Sequence, residues 1–175
     1  MSDSQTPAAP PPGVQQPKLL ILTQYMKDLS FENPNSPVIF GQTQNQPKIT
    51  ISVDVKVNPI QERLAEVILA LRVEAQVGEK NAFLIELDYA GIVNLQEEVD
   101  PEEAERCFMI EAPTMLFPFA RSIIAALSRD GGFMPFLMTP IDFEQLHAQR
   151  KAAAAAAGEQ APAEAAEGEA APEGE

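Results

Sequence analysis

The segment KITISVDVKVN, residues 48–58, limits the possible folds more than any other stretch of this chain. Ile49, Ile51, Val53, Val55 and Val57 alternate with Lys48, Thr50, Ser52, Asp54, Lys56 and Asn58. Successive side chains of a strand point to opposite faces, so a strict period of two predicts one buried face and one wet face. A sheet with a wet face is characteristically antiparallel, because all-parallel sheets are covered on both sides. Three other segments read as its partners: LLILTQYMKDLSFE (19–32), RLAEVILALRVEAQV (63–77) and FLIELDYAGIVNL (83–95). The turn GEKN, residues 78–81, joins the last two as a hairpin.

Beyond residue 99 the period changes to that of helices. Asp100 suits an N-cap, Pro101 the first helical position, and Glu102 and Glu103 the positive end of the helix dipole. Pro113 is expected to interrupt this helix, and a second runs from Thr114 to the stop signal Asp130-Gly131-Gly132. Asp142 with Gln145 resembles a capping box and opens a third helix, which the alanines of 152–157 extend. Strands followed by helices predict an α+β domain, a four-stranded antiparallel sheet with helices on one face.

The folded part is expected to span 18–151. Residues 1–17 are rich in Pro, Ala and Gln, and 152–175 in Ala, Glu, Gly and Pro, compositions that read as disordered tails. A domain of this size buries about two-thirds of its unfolded surface and needs neither disulfide nor metal. Cys107 is the single cysteine, and MSDSQTPAAPPPG lacks the basic flank and apolar stretch of a signal peptide, so a cytoplasmic location is expected. The apolar run 115–127 is broken by Pro118 and Arg121, and membrane insertion is not expected.

The formal charge is −14, from 26 acidic and 12 basic residues. Six glutamates of the C-terminal tail and Asp3 account for seven of these charges, leaving −7 on the domain itself. Nucleic acid and anionic lipid are poor candidate partners, since both need a basic footprint, and a basic protein surface is a better one. Alternation places Asp28, Ser30 and Glu32 on one face of the first strand, opposite Lys27, Leu29 and Phe31. It likewise places Leu84, Glu86 and Asp88 opposite Phe83, Ile85, Leu87 and Tyr89 in the fourth. Two strands thus turn acid outward, with Leu84 as an apolar anchor for a basic segment.

Catalytic equipment is sparse. His147 stands alone near the end of the last helix, and Cys107 has no second cysteine for a metal or redox pair. Glu86 and Asp88, about 7 Å apart along a strand, have the spacing of an inverting glycosidase pair, but the chain contains no Trp for a sugar platform. No cofactor or metal is expected. More unusual is GGFMPFLMTP, residues 131–140, where Phe133, Met134, Phe136, Leu137 and Met138 crowd a connector that would ordinarily be polar. Such a loop either packs internally or offers an adaptable apolar binding surface, a role methionine suits.

KDLSFENPNSP (27–37), FLIEL and GIVNL (83–95), LFPFAR (116–121), and GGF followed by PIDFEQL (131–146) together resemble the SecB family of protein-export chaperones. The resemblance implies an ATP-independent holdase that keeps secretory precursors unfolded and delivers them to the SecA motor. It implies a homotetramer, a dimer of dimers with helices sandwiched between sheets. It points to Asp28, Glu32, Leu84 and Glu86 as the surface that receives the basic, zinc-carrying end of SecA, and to Phe133, Phe136, Leu137 and Met138 as candidates for the client groove. Two departures bear on groove shape: Asn45 stands before Gln46-Pro47 where members often have an aromatic, and Met134 separates Phe133 from Pro135 where many read Phe-Pro. The competing expectation is a small carrier or enzyme that covers an acyl ligand with the loop and uses Glu86 or Asp88 as general base. That reading requires an inward-facing carboxylate.

Overall fold

The computed structural model describes residues 17–41 and 46–159, so most of both expected tails, and Asn45, lie outside the described residues. Four strands, β1 (Leu19–Glu32), β2 (Lys48–Gln61), β3 (Leu64–Val77) and β4 (Lys80–Leu95), form one antiparallel sheet in the order β1-β4-β3-β2. A 3-10 turn, Val38–Gly41, follows β1, and the Ser36–Pro37 peptide before it is cis. The register pairs Leu87 with Leu71 on one side and Leu29 on the other, and Ile85 with Val73 and Phe31. These apolar residues share the inner face, where Leu69, Val73, Ile85 and Leu87 are almost fully buried. Full burial of each such side chain contributes about 1.5–3 kcal/mol.

Strand β1 breaks its register with β4 twice, between Ile21 and Thr23 and again after Met26. A register shift between Met26 and Asp28 leaves Lys27 at a β-bulge, and its ammonium bonds both carboxylate oxygens of Glu66 at 2.7 Å. Lys27 therefore joins the outer face rather than the inner one expected from simple period-two reading, because a bulge adds one residue to the strand. Tyr25 and Asn58 donate to the same carboxylate. The Lys27, Tyr25 and Asn58 donors hold the Glu66 carboxyl down to about 2, from an ordinary value of 4.5. A depressed carboxyl stabilises the fold fully above the unfolded value and loses that contribution as pH falls toward the folded one. Urea midpoints of the wild type should therefore fall more steeply between pH 5 and 2 than those of Glu66→Gln; parallel curves would remove Glu66 from the acid response.

On the inner face lies a helical run, Pro101–Asp130, of 30 residues. Its first part, α1 (Pro101–Arg106), is capped by Asp100, whose carboxylate accepts from the Glu103 amide at 2.8 Å. Pro113 does not break the run as the sequence leads one to expect. A π-helical turn, Cys107–Glu111, widens the helix just ahead of the proline, and the Ala112 amide reaches back to the Cys107 carbonyl. The extra residue re-registers the backbone around the missing N–H, and Thr114 Oγ1 bonds the Ile110 carbonyl at 2.6 Å.

The run continues as α2 (Ala112–Asp130), which buries Leu116, Ala120, Ile124 and Ser128 at four-residue intervals and packs over β4, β3 and β1. By length and composition this run could cross a membrane, with mean hydropathy 1.3 over its most apolar window, but one side of it covers the sheet. The other side leaves Met115 and Phe119 each 49 % exposed.

The chain divides into two compact units, the second beginning at Thr139. Within it, Asp142 caps α3 (Phe143–Glu159) by accepting from the Gln145 amide at 2.9 Å. This helix continues through the alanines of 152–157.

Candidate functional site

Two surfaces of the sheet unit differ in chemistry, and they share one strand, β4, whose adjacent residues Phe83 and Leu84 belong to different surfaces. On the outer face, Asp28 lies directly across from Asp88, Ser30 from Glu86, and Glu32 from Leu84. Asp28, Glu32, Leu84 and Glu86 are thereby brought into one patch spanning β1 and β4. Asp28, Glu32 and Glu86 are exposed and Leu84 is half-buried among them. Like charges directly opposite across a strand pair destabilise a sheet, so the Asp28–Asp88 juxtaposition is one that a cation from outside would relieve. Beside it Arg72, across from Glu86 on β3, forms an ion pair with that carboxylate.

Ala82 and Phe83 of β4, with Ile49 of β2 and Val77 of β3, floor an apolar cavity of about 600 Å³. Phe83 of β4 stacks on Phe31 of β1 and meets Phe133 with ring centroids 4.9 Å apart, while Phe40 of the 3-10 turn closes on Phe133 at 5.3 Å. Met134 and Phe136 complete the walls, and among the described residues none of the lining side chains is polar. A cavity of this kind accepts apolar side chains and penalises charged ones, which would lose water without gaining a partner.

The loop that walls the cavity is held in two ways. Gly131 sits so close to Phe31 that a Cβ there would lie 2.2 Å from the ring, and Gly132 has φ +90°, a conformation that suits glycine. Ser128, fully buried at the end of α2, accepts from the Phe136 amide at 2.8 Å and is within 3.1 Å of the Ile124 and Ala125 carbonyls to which it donates. Its position continues the buried stripe of α2, so a polar residue at a core register just before a Gly-Gly stop is the signal that sequence reading passed over. Ser128→Ala leaves the Phe136 amide without its partner and should lower stability by about 1–3 kcal/mol, measured by urea denaturation. Unchanged stability and unchanged exchange of the Phe136 amide would mean that the loop is held elsewhere.

The four loop candidates separate. Phe133 and Phe136 line the cavity. Leu137 projects outward at 63 % exposure without lining it, and Met138 is 1 % exposed, a packed side chain and not a surface one. Met134, at 87 % exposure, stands on the rim. Ile39 and Phe40 enter the site from the 3-10 turn, and Asn35 of the preceding NPNSP loop is tied to the β3–β4 hairpin by donating to the Asn81 carbonyl at 2.9 Å.

Glu86 and Asp88 share the outer face, away from Phe83, Ile85 and Leu87, which is the wrong side for a base acting inside the apolar cavity. Glu103, Cys107 and Glu111 do bring ligand atoms within 4.8 Å of one another. Lys18 already donates to Glu103, Arg106 pairs with Glu111, and burial pushes the Cys107 thiol up, against the deprotonation that metal binding needs.

A helix-covered antiparallel sheet with an apolar cavity on one side and an acidic patch on the other defines a binding surface rather than an enzyme site, with no assembled catalytic centre among the described residues. Residues 13–154 match the family model described as preprotein translocase subunit SecB. The chain is 46 % identical over 145 residues to the protein-export protein SecB of Rhodospirillum rubrum, covering 82 % of this chain and 88 % of that one. It is 47 % identical over 136 residues to that of Parvibaculum lavamentivorans, covering 78 % and 80 %. It also shares its fold, at TM-score 0.60 and 12 % identity, with a SecB-like chaperone of Mycobacterium tuberculosis solved with a peptide from the HigA1 antitoxin, covering 71 % of this chain and 91 % of that one. This chain belongs to the SecB family of export chaperones, which are not enzymes.

Proposed function

We propose that this protein is a cytoplasmic holdase that binds unfolded secretory precursors in the cavity walled by Phe133 and Phe136 and delivers them to SecA through Asp28, Glu32, Leu84 and Glu86. The observation that carries the proposal is the pairing of a cavity that has no polar lining side chain among the described residues with an acidic patch on the opposite face of the sheet, the two meeting in β4, where Phe83 lines the cavity and Leu84 and Glu86 belong to the patch. Apolar contacts are broad in specificity and individually reversible, which suits holding without nucleotide hydrolysis. No GxxxxGK[ST] loop is present in the chain. The acidic patch complements the basic, zinc-carrying end of the motor, with the zinc belonging to the partner.

The assembly proposed is a dimer of dimers. β1 is an edge strand of 14 residues, and Leu20, Leu22 and Met26 on it are exposed, as are Met115 and Phe119 of α2. An open strand edge next to exposed apolar side chains is a surface that a second copy would cover. Linking several cavities in one particle raises avidity for a single unfolded chain by ~10²- to 10⁴-fold without any tighter single contact.

Size exclusion with light scattering tests both halves of the proposal. The protein should elute as about four chains and carry a denatured, slow-folding precursor through the column without ATP. A monomer that leaves the precursor to aggregate would overturn it.

A further inference from the structure

Among the described residues, Glu86 is the one carboxylate of the proposed motor-docking patch with an ion-pair partner. Arg72, its direct cross-strand neighbour on β3, donates through Nη1 to Glu86 Oε1, and its other terminal nitrogen stands 3.8 Å from Glu74. Both side chains of the Arg72–Glu86 pair are about half exposed, at 47 % and 50 %. The pair is therefore easily opened, because water and salt screen it and two long side chains must be ordered to hold it. Asp28 and Asp88, one row along the same face, have no ion-pair partner among the described residues. Asp28, Asp88, Glu86 and Arg72 line one shallow bowl of about 310 Å³. A guanidinium lying in that bowl occupies the ground on which an incoming basic side chain would have to settle.

We infer that Arg72 is a built-in competitor for the motor's basic segment: it occupies the Glu86 carboxylate in the free protein and must yield it when the partner docks. The inference rests on the reading that the outer face receives SecA, and it adds a residue that lowers the affinity of that face. Such a residue keeps docking weak and salt-sensitive. It also discriminates against lone cations that cannot displace a guanidinium already seated between two acids.

The test is calorimetric titration of the full-length tetramer with the zinc-loaded C-terminal segment of SecA, in a double-mutant cycle with Glu86. Arg72→Gln should tighten binding by up to about fivefold, the range an exposed ion pair spans. The gain should vanish in the Glu86→Gln background, because the competition is for that carboxylate. Arg72→Lys should behave as the wild type, and Lys48→Gln, which removes one positive charge elsewhere on the same face, should gain less than Arg72→Gln. Equal tightening in both Glu86 backgrounds would reduce Arg72 to a general field effect and overturn the inference. Weakened binding in Arg72→Gln would overturn it in the other sense, making Arg72 a residue that positions Glu86 for the partner. Failure of the wild type itself to bind the segment would instead sink the motor-docking reading, and the inference with it.

Discussion

Glu86→Lys is expected to lower affinity for the SecA C-terminal segment by more than about tenfold while leaving client holding intact. The carboxylate projects from β4 into the patch shared with Asp28, Ser30 and Glu32, and its neighbours Ile85 and Leu87 point to the opposite face. Reversing the charge changes the local field by two units and places an ammonium beside Arg72, which then repels it as well as the incoming partner. Exposed charges at an interface act chiefly on encounter rate and salt dependence, so the loss should be largest at low ionic strength and should appear mainly in the association rate. The cavity lining does not include Glu86, which is why suppression of precursor aggregation should be unaffected. Stopped-flow binding and an aggregation assay on the same preparation check the two halves. Joint loss of both activities would show that the faces are not separate surfaces.

Much of this arrangement is legible in the sequence because each piece is local. Period-two alternation from Ile49 to Val57 fixes which face of β2 is wet, and the caps at Asp100 and Asp142 form from residues three apart. The outward acids of β1 and β4 follow from the same alternation, and the register then sets Asp28 against Asp88.

What sequence does not disclose are the terms set by distant contacts. The bulge at Lys27 reverses the expected face of one residue because the chain gains a residue there, and nothing in the composition of YMKD announces it. Pro113 is absorbed by a π turn because the helix is held along the sheet on both sides of it, so widening one turn costs less than breaking the packing. The loop residues Phe133, Leu137 and Met138 look alike in sequence, yet one lines the cavity, one faces solvent and one is buried. Their fates depend on where the Ser128 hydroxyl and the Phe31 ring hold the backbone. Phe40 and Phe133 are 93 positions apart, and their meeting could be read only after the fold had brought them together.

Phe136→Asp should weaken client binding more than any other single change considered. The side chain lines the cavity, whereas its backbone amide carries the bond to Ser128, so substitution removes the apolar wall and spares the anchor that shapes the loop. Losing the burial of one large apolar side chain costs about 1.5–3 kcal/mol per occupied cavity, or roughly ten- to a hundredfold in affinity. The carboxylate adds to this, because a client segment entering the cavity would have to strip its water with no cation among the described lining residues to compensate. In an assembly where one unfolded chain spans several cavities, the losses multiply, and a defect modest at one site becomes loss of holding. Phe136→Leu retains an apolar side chain and should fall between the two, which separates the chemistry of the wall from mere alteration of the position. Binding of the SecA segment should be unchanged in both variants, since the outer face is untouched. A correctly assembled Phe136→Asp protein with undiminished affinity for a denatured precursor would remove this residue from the groove and move client recognition elsewhere on the molecule.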